Sequence, residues 1–236
     1  AFIQETTVFR EFGPLAGSTM RVAFDVAPKI GNTLSRQTVD ADLRYYQRLA
    51  TSGVLALRFR GYKSTGAYPD FLYFGGNSEM RGYDYLSFVG QNSVFANAEL
   101  RFPLIEAALT PIGVIGGIRG VFFANIGGGW FSNQDYTFAT SKAESVTPIT
   151  SYTYDLLGNA TPVYGSPTTV SGLRLRDGRA SYGFGLETFA LGFPIHFDWS
   201  WRTLMNKEWE DVTFALDGGS AAFRKPRFAV WIGYDF

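Results

Sequence analysis

The chain has 236 residues, with 21 Lys+Arg set against 21 Asp+Glu, one His and no Cys. A formal charge of zero argues against nucleic acid as a partner, and the lack of cysteine removes disulfides, thiolate metal sites and cysteine nucleophiles. With 46% apolar and only 18% charged residues, below the roughly 25% charged of soluble domains, the chain can bury a core and is not disordered.

No run approaches the roughly 18 apolar residues of a membrane helix. The nearest charge-free stretch, 107–118, is interrupted by Pro111, Gly113, Gly116 and Gly117. The opening Ala1-Phe2-Ile3-Gln4-Glu5 has neither the basic start nor the apolar centre of a signal peptide, which points to a mature chain or a piece of a longer one.

The period of two dominates from end to end. A weakly alternating segment at 4–12 comes first. Segment 18–26 then sets Met20, Val22, Phe24 and Val26 against Thr19, Arg21, Ala23 and Asp25. Segment 38–48 opposes Val39, Leu43 and Tyr45 to Asp40, Asp42 and Arg44, and 54–62 opposes Leu55, Leu57 and Phe59 to Arg58 and Arg60. Segment 93–103 sets Val94, Ala96, Ala98, Leu100 and Phe102 against Asn97, Glu99 and Arg101. Segment 117–130 places Ile118, Phe122 and Ala124 opposite Arg119, Phe123 and Asn125. In 180–190, Tyr182, Phe184 and Leu186 oppose Ser181, Gly183, Gly185 and Glu187. In 195–204, Ile195, Phe197, Trp199 and Trp201 oppose His196, Asp198 and Arg202. The last segment, 226–236, puts Phe228, Val230, Ile232, Tyr234 and Phe236 on one face.

Strands of this length fit the roughly 9–11 residues that cross a bilayer at a tilt, with the apolar face to lipid and the charged face to a wet lumen. The links alternate in length. Long ones at 205–225, 131–179, 63–92 and 27–37 have 21, 49, 30 and 11 residues, and short ones at 191–194, 104–116, 49–53 and 13–17 have 4, 13, 5 and 5. Short turns on one side and long loops on the other are the habit of outer-membrane barrels, and a soluble sandwich has no reason to sort its loops by parity. The expected fold is therefore all-β, an antiparallel transmembrane β-barrel with eight to nine strands present in one domain spanning 1–236. The 49-residue link reads as an exposed surface loop able to fold over the mouth.

Within 63–92, the run Phe71-Leu72-Tyr73-Phe74-Gly75-Gly76-Asn77-Ser78-Glu79-Met80-Arg81-Gly82-Tyr83 is too apolar for a solvated loop. It is expected to fold into the lumen, with Gly75 and Gly76 permitting a tight turn. A buried Arg81 must be paired, and Glu99 on the lumen face of the next strand is the nearest candidate. Arg58, Arg101, Arg119 and Glu187 are expected to line the lumen.

These residues carry a resemblance. Gly75-Gly76…Met80-Arg81-Gly82-Tyr83, followed by Ala98-Glu99-Leu100-Arg101-Phe102-Pro103-Leu104, resembles the bacterial surface antigen barrel of the BamA/TamA outer-membrane assembly family. The resemblance implies a lumenal loop whose Arg-Gly-Tyr tip is pinned by acids on the next two strands. Arg81 takes the place of the tip arginine and Glu99 that of the first acid. The second acid, in an aromatic-x-Asp-x-Gly pattern, is replaced by Asn125 in Phe123-Ala124-Asn125-Ile126-Gly127. Gly183 and Gly185 match a following Gly-x-Gly, and Gly233, Tyr234 and Phe236 resemble the aromatic-ended signal of barrel substrates. The family barrel is sixteen-stranded, which implies either that this is the C-terminal part of a longer chain or that several copies complete one larger barrel.

The resemblance further implies a place in the bacterial outer membrane, C-terminus on the periplasmic side. Its partners would be membrane lipid, client outer-membrane or surface proteins and further subunits of an assembly complex. Function would be insertion or translocation through a lateral seam, without cofactor, metal or enzymatic step. The alternatives are a barrel that anchors or exports an N-terminal effector, and a passive pore. No phosphate-binding loop, His-Glu-x-x-His or Gly-x-Ser-x-Gly motif is present. His196 and Asp198 form the one local acid–base pair involving His and are expected to be solvated lumen groups. Asp40 and Asp42 share the lumen face but are too few for a metal site.

Overall fold

A strand between lipid and a polar interior must alternate, and the computed structural model builds its wall from the alternating segments. It describes residues 1–10, 13–31, 33, 35–49, 53–110, 113–190, 193–234 and 236. The elements begin with β1 (Phe2–Glu5), β2 (Val8–Arg10), β3 (Gly13–Ala27), β4 (Arg36–Leu49), β5 (Gly53–Gly66), β6 (Leu72–Phe74) and β7 (Phe88–Gly90). They continue through β8 (Asn92–Thr110), β9 (Gly113–Trp130), β10 (Ala139–Thr140), β11 (Glu144–Val146), β12 (Ile149–Tyr154) and β13 (Ala160–Tyr164). Then come β14 (Thr168–Val170), β15 (Arg174–Leu175), β16 (Arg179–Ala190), β17 (Phe193–Thr203), α1 (Lys207–Thr213), α2 (Gly219–Phe223) and β18 (Arg227–Ile232). Among the described residues no helix is long and apolar enough to cross a membrane.

Ten strands form one antiparallel sheet in the order β1-β3-β4-β5-β8-β9-β16-β17-β18, with β2 also on β3. Phe24, Leu43, Phe59, Phe122, Tyr182 and Phe228 are exposed on one face, while Asp42, Arg58, Asn97, Glu99, Arg101 and Glu187 are buried on the other. That distribution inverts a soluble sheet and matches a wall with lipid outside and a polar interior.

The wall curls steeply. The aromatic ring of Phe236, four residues past the end of β18, packs with Tyr46 on β4 and with Val54 and Ala56 on β5. In a flat sheet β5 lies five strand spacings from β18, about 24 Å. Four residues of chain reach only about 14 Å. Among the described residues no ladder joins β18 to β1, so the sheet has two open edges.

Several expectations change in detail. The segment predicted at 4–12 is two short strands, β1 and β2, and 13–17 begins β3 rather than forming a link. The 13-residue link predicted at 104–116 is instead strand: β8 runs to Thr110 and β9 starts at Gly113. Pro103 sits at a register shift, the place where a central strand tolerates a missing N–H. Positions 11–12 and 235, in the predicted segments 4–12 and 226–236, and positions 32, 34, 50–52, 111–112 and 191–192, in predicted links, lie outside the described residues.

The last strand ends at Ile232, and Phe236 does not share the lipid face of Tyr234. Gly233 turns the chain with φ of +157°, Tyr234 stays exposed and Phe236 is buried on the lumen side. The 49-residue loop is a two-stranded ribbon built from the nested pairs β10–β15, β11–β14 and β12–β13. Its base joins α1 and α2 in a small core of Val170, Leu175, Leu204, Trp209 and Phe223, and β12 leans on the 3-10 turn Ala215–Asp217.

Candidate functional site

The loop between β5 and β8 enters the lumen because it is apolar. Phe74 is fully buried and stacks on Phe88 and, at 5.1 Å between ring centres, on Phe95 of β8. Met80 completes that cluster. Gly75 and Gly76 hold φ of +133° and +84°, and the Gly76 carbonyl accepts from the Glu79 and Met80 N–H groups at 3.2 and 2.9 Å. This single tight turn aims Arg81 at the wall. Gly76 takes a left-handed conformation that a side chain disfavours, and a Cβ on Gly75 would meet the Asp84 carbonyl at 2.7 Å.

Arg81 is buried between two acids. Its Nη2 donates to Glu99 Oε1 on β8 at 2.8 Å, and its Nη1 lies 3.6 Å from Asp198 Oδ1 on β17. Side-chain exposure is 3% for Arg81 and 2% for each acid, so neither charge is met by bulk water. The guanidinium also stands 4.7 Å over the Phe123 ring of β9 and 5.6 Å over Trp231 of β18, and its Nε donates to the Asn77 carbonyl at 3.1 Å. One side chain thereby ties the loop to four wall strands, at a depth where ion pairing is required rather than optional.

The residues after it extend the tie. Gly82, at φ +87°, lets the chain pass Ser200, whose hydroxyl oxygen would stand 2.9 Å from an added Cβ. Its carbonyl accepts from Arg227 Nη1 at 3.0 Å, while Arg227 Nη2 pairs with Asp84 at 2.7 Å, so the first residue of β18 is bound to the loop. The Tyr83 hydroxyl donates to the Ala180 carbonyl at 3.1 Å, and burial pushes its phenol well above the usual range.

Residues 10–236 match a family described as the Omp85 superfamily domain. The chain belongs to the Omp85 superfamily. That family works in outer-membrane protein assembly and translocation, which places this chain among the β-barrels of the bacterial outer membrane. No curated protein matches the sequence.

In this Omp85 chain Asn125 reaches the loop tip through Ser181. Asn125 Oδ1 accepts from Asn97 at 2.8 Å and its amide donates to Ser181 Oγ at 3.1 Å, while the Ser181 hydroxyl donates to the Arg81 carbonyl. Asn125 therefore holds the backbone of the tip, and the second carboxylate comes from β17. Asp198, expected to be solvated, is buried and also accepts from the Trp231 indole N–H at 2.7 Å. A sequence clue existed in Gly185. A Cβ there would fall on the Asp198 carboxylate, and one on Gly183 would overlap the Phe123 ring beneath Arg81.

The predicted lumen residues all find partners. Arg101 donates to Glu99 at 2.7 and 2.9 Å, so Glu99 is shared by two guanidinium groups, and Arg101 also stands 5.3 Å over the Phe236 ring. Arg58 forms a two-point pair with Asp42 at 3.0 and 2.9 Å, with Arg44 on the same carboxylate. Asp40 lies between Arg21 and Arg60 at 2.8 and 3.1 Å. Both acids are thus neutralised by arginines. Arg119 pairs with Glu187, whose other oxygen lies 3.3 Å from His196 Nδ1. His196, also expected to be solvated, is buried; its Nε2 lies 2.7 Å from the Gly233 carbonyl and its ring stacks on Trp231 at 3.7 Å. Among the described residues no group of three or more acids, His or Cys could hold a metal.

Proposed function

We propose that this barrel inserts or translocates other outer-membrane or surface proteins at the seam beside β18, without cofactor or catalytic step, with its C-terminus on the periplasmic side. The supporting observation is the state of β18. Among the described residues it is laddered only to β17, so alternate N–H and C=O groups of Arg227–Ile232 face outward. An open edge is a template for a further strand. Two inward residues of β18, Arg227 and Trp231, meet the lumenal loop, so displacement of the edge strand pulls directly on Arg81.

Because the chain has no cysteine, Val230→Cys on β18 supplies a unique thiol. The expected result is a disulfide to a cysteine in the terminal strand of a stalled barrel client in native outer membranes. Val22→Cys, on β3, serves as a lipid-facing control. Equal capture at both positions, together with unchanged levels of outer-membrane proteins on depletion, overturns the proposal and leaves the barrel as an anchor.

A further inference from the structure

The lipid face of the wall is not evenly covered. Across the strands, the cross-strand row Leu55–Leu100–Phe122–Phe184 is bulky throughout. The next row toward the long loops reads Leu57–Ala98–Ala124–Tyr182, and the one beyond it Phe59–Ala96–Ile126–Ala180. Leu57 and Phe59 on β5, with Ile126 on β9 and Tyr182 on β16, therefore flank a floor of Ala96, Ala98 and Ala124. The result is a groove of about 580 Å³ on the outward face. Its lining runs toward the loops from Leu57 and Ala98 through Phe59, Ala96 and Ile126. Beyond that end stands Lys63, opposite Asn92 and four residues from Phe59, about 13 Å along β5. Lys63 is the single charge on the outward face of that strand.

We propose that this groove is a lipid site, seating one acyl chain of a phosphate-bearing lipid in the leaflet on the long-loop side, with Lys63 at the level of its phosphate. The groove is continuous with the exposed apolar belt that contacts lipid, and Leu57, Phe59 and Tyr182 belong to both. Within hydrocarbon a surface hollow left empty forfeits dispersion contacts, and acyl chains are the material at hand to fill it. A chain held on the floor and both sides exchanges more slowly than one resting on the convex remainder of the wall. The lysine adds a preference for anionic head groups, as juxtamembrane cations do.

The test places the full chain in liposomes containing phosphatidylglycerol with a photoreactive group midway along one acyl chain. After illumination, adducts are mapped by mass spectrometry. Expected are adducts on β8 and β9 at least about fivefold above those on β3 and β18, falling to the level of those strands in the double variant Ala98→Leu, Ala124→Leu. Lys63→Gln should remove the preference for phosphatidylglycerol over a phosphatidylcholine carrying the same probe. Lipid A with a photoreactive chain, run in parallel, decides which phosphate-bearing lipid labels more strongly. Even labelling around the belt overturns the proposal, as does labelling unchanged by filling the groove, or β8 and β9 shielded from the probe as they would be under a bound protein. If the double variant does not fold, Ala98→Val alone carries the comparison.

Discussion

Replacing Arg81 by Ala tests the lumenal tie most directly. Breaking a buried ion pair usually costs about 3–5 kcal/mol because the abandoned charge is left uncompensated. Glu99 is not abandoned here, whereas Asp198 loses its cation and keeps one neutral donor. Glu99 keeps Arg101 at 2.7 Å, and Asp198 keeps the Trp231 indole at 2.7 Å. What disappears is one charge-assisted hydrogen bond, about 1.5–3 kcal/mol, and a desolvated cation–π contact with Phe123, about 1–2 kcal/mol. The expected loss is therefore about 3 kcal/mol, toward the lower end of the usual range. Arg81→Lys should recover little, because a single ammonium cannot serve Glu99 and Asp198 together while lying over a ring. The assay is urea unfolding in lipid vesicles followed by tryptophan fluorescence, with Glu99→Gln and the double variant completing a cycle. A coupling between positions 81 and 99 of about 1–2 kcal/mol is expected. Stability of Arg81→Ala within about 0.5 kcal/mol of the parent refutes the tie as described.

Four further outcomes follow from the same geometry. Gly185→Ala places a methyl on the Asp198 carboxylate and should cost about 1–3 kcal/mol in the same assay, whereas Gly61→Ala, whose added Cβ meets only the Phe59 ring at 3.5 Å, should be far milder. Asn125→Asp, although it supplies the acid that the resemblance implies, removes the donor to Ser181 and should destabilise by about 1–2 kcal/mol; a stabilised variant would show that Asn125 is not a backbone holder. Phe236→Ala should cost about 3 kcal/mol, because it empties the space between Tyr46, Val54 and Ala56, and should leave β18 more open to hydrogen exchange. In the ribbon loop, burial raises the Tyr136 phenol to about 12, so its contribution to stability is complete below the unfolded value near 10 and is lost as pH rises from there through about 12. Absorbance at alkaline pH should show late-titrating tyrosines, and Tyr136→Phe should remove one residue's share of that signal.

The wall was legible because lipid on one side and paired charge on the other force a strict period of two, as in Leu55, Leu57 and Phe59 against Arg58 and Arg60. The first acid was legible too, since Glu99 lies on the strand that directly follows the loop. Asp198 was hidden by distance, 117 positions from Arg81, and by sitting beside His196 in what looked like a solvated pair. Only the neighbouring strand's Gly185, which leaves room for the carboxylate, pointed inward. Phe236 was misplaced for a different reason. Alternation assumes an unbroken strand, and Gly233 ends it, so the parity that correctly placed Tyr234 no longer applied two residues later. The segment 104–116 read as a link because a register shift in a central strand leaves no trace in periodicity.

The tie at Arg81 draws on β8, β9, β17 and β18, and its last contributors, Asp198 and Trp231, come 117 and 150 positions after it. Contacts of such long sequence separation form late, after the loop entropy between them has been spent. The lumenal loop thus cannot settle while the chain is still arriving. Until β17 and β18 are delivered, Arg81 has one acid and no indole, and the interior lacks a closed set of charges. A barrel arranged this way carries its own check on completion, in which an unfinished or truncated wall is marked by an unanchored loop.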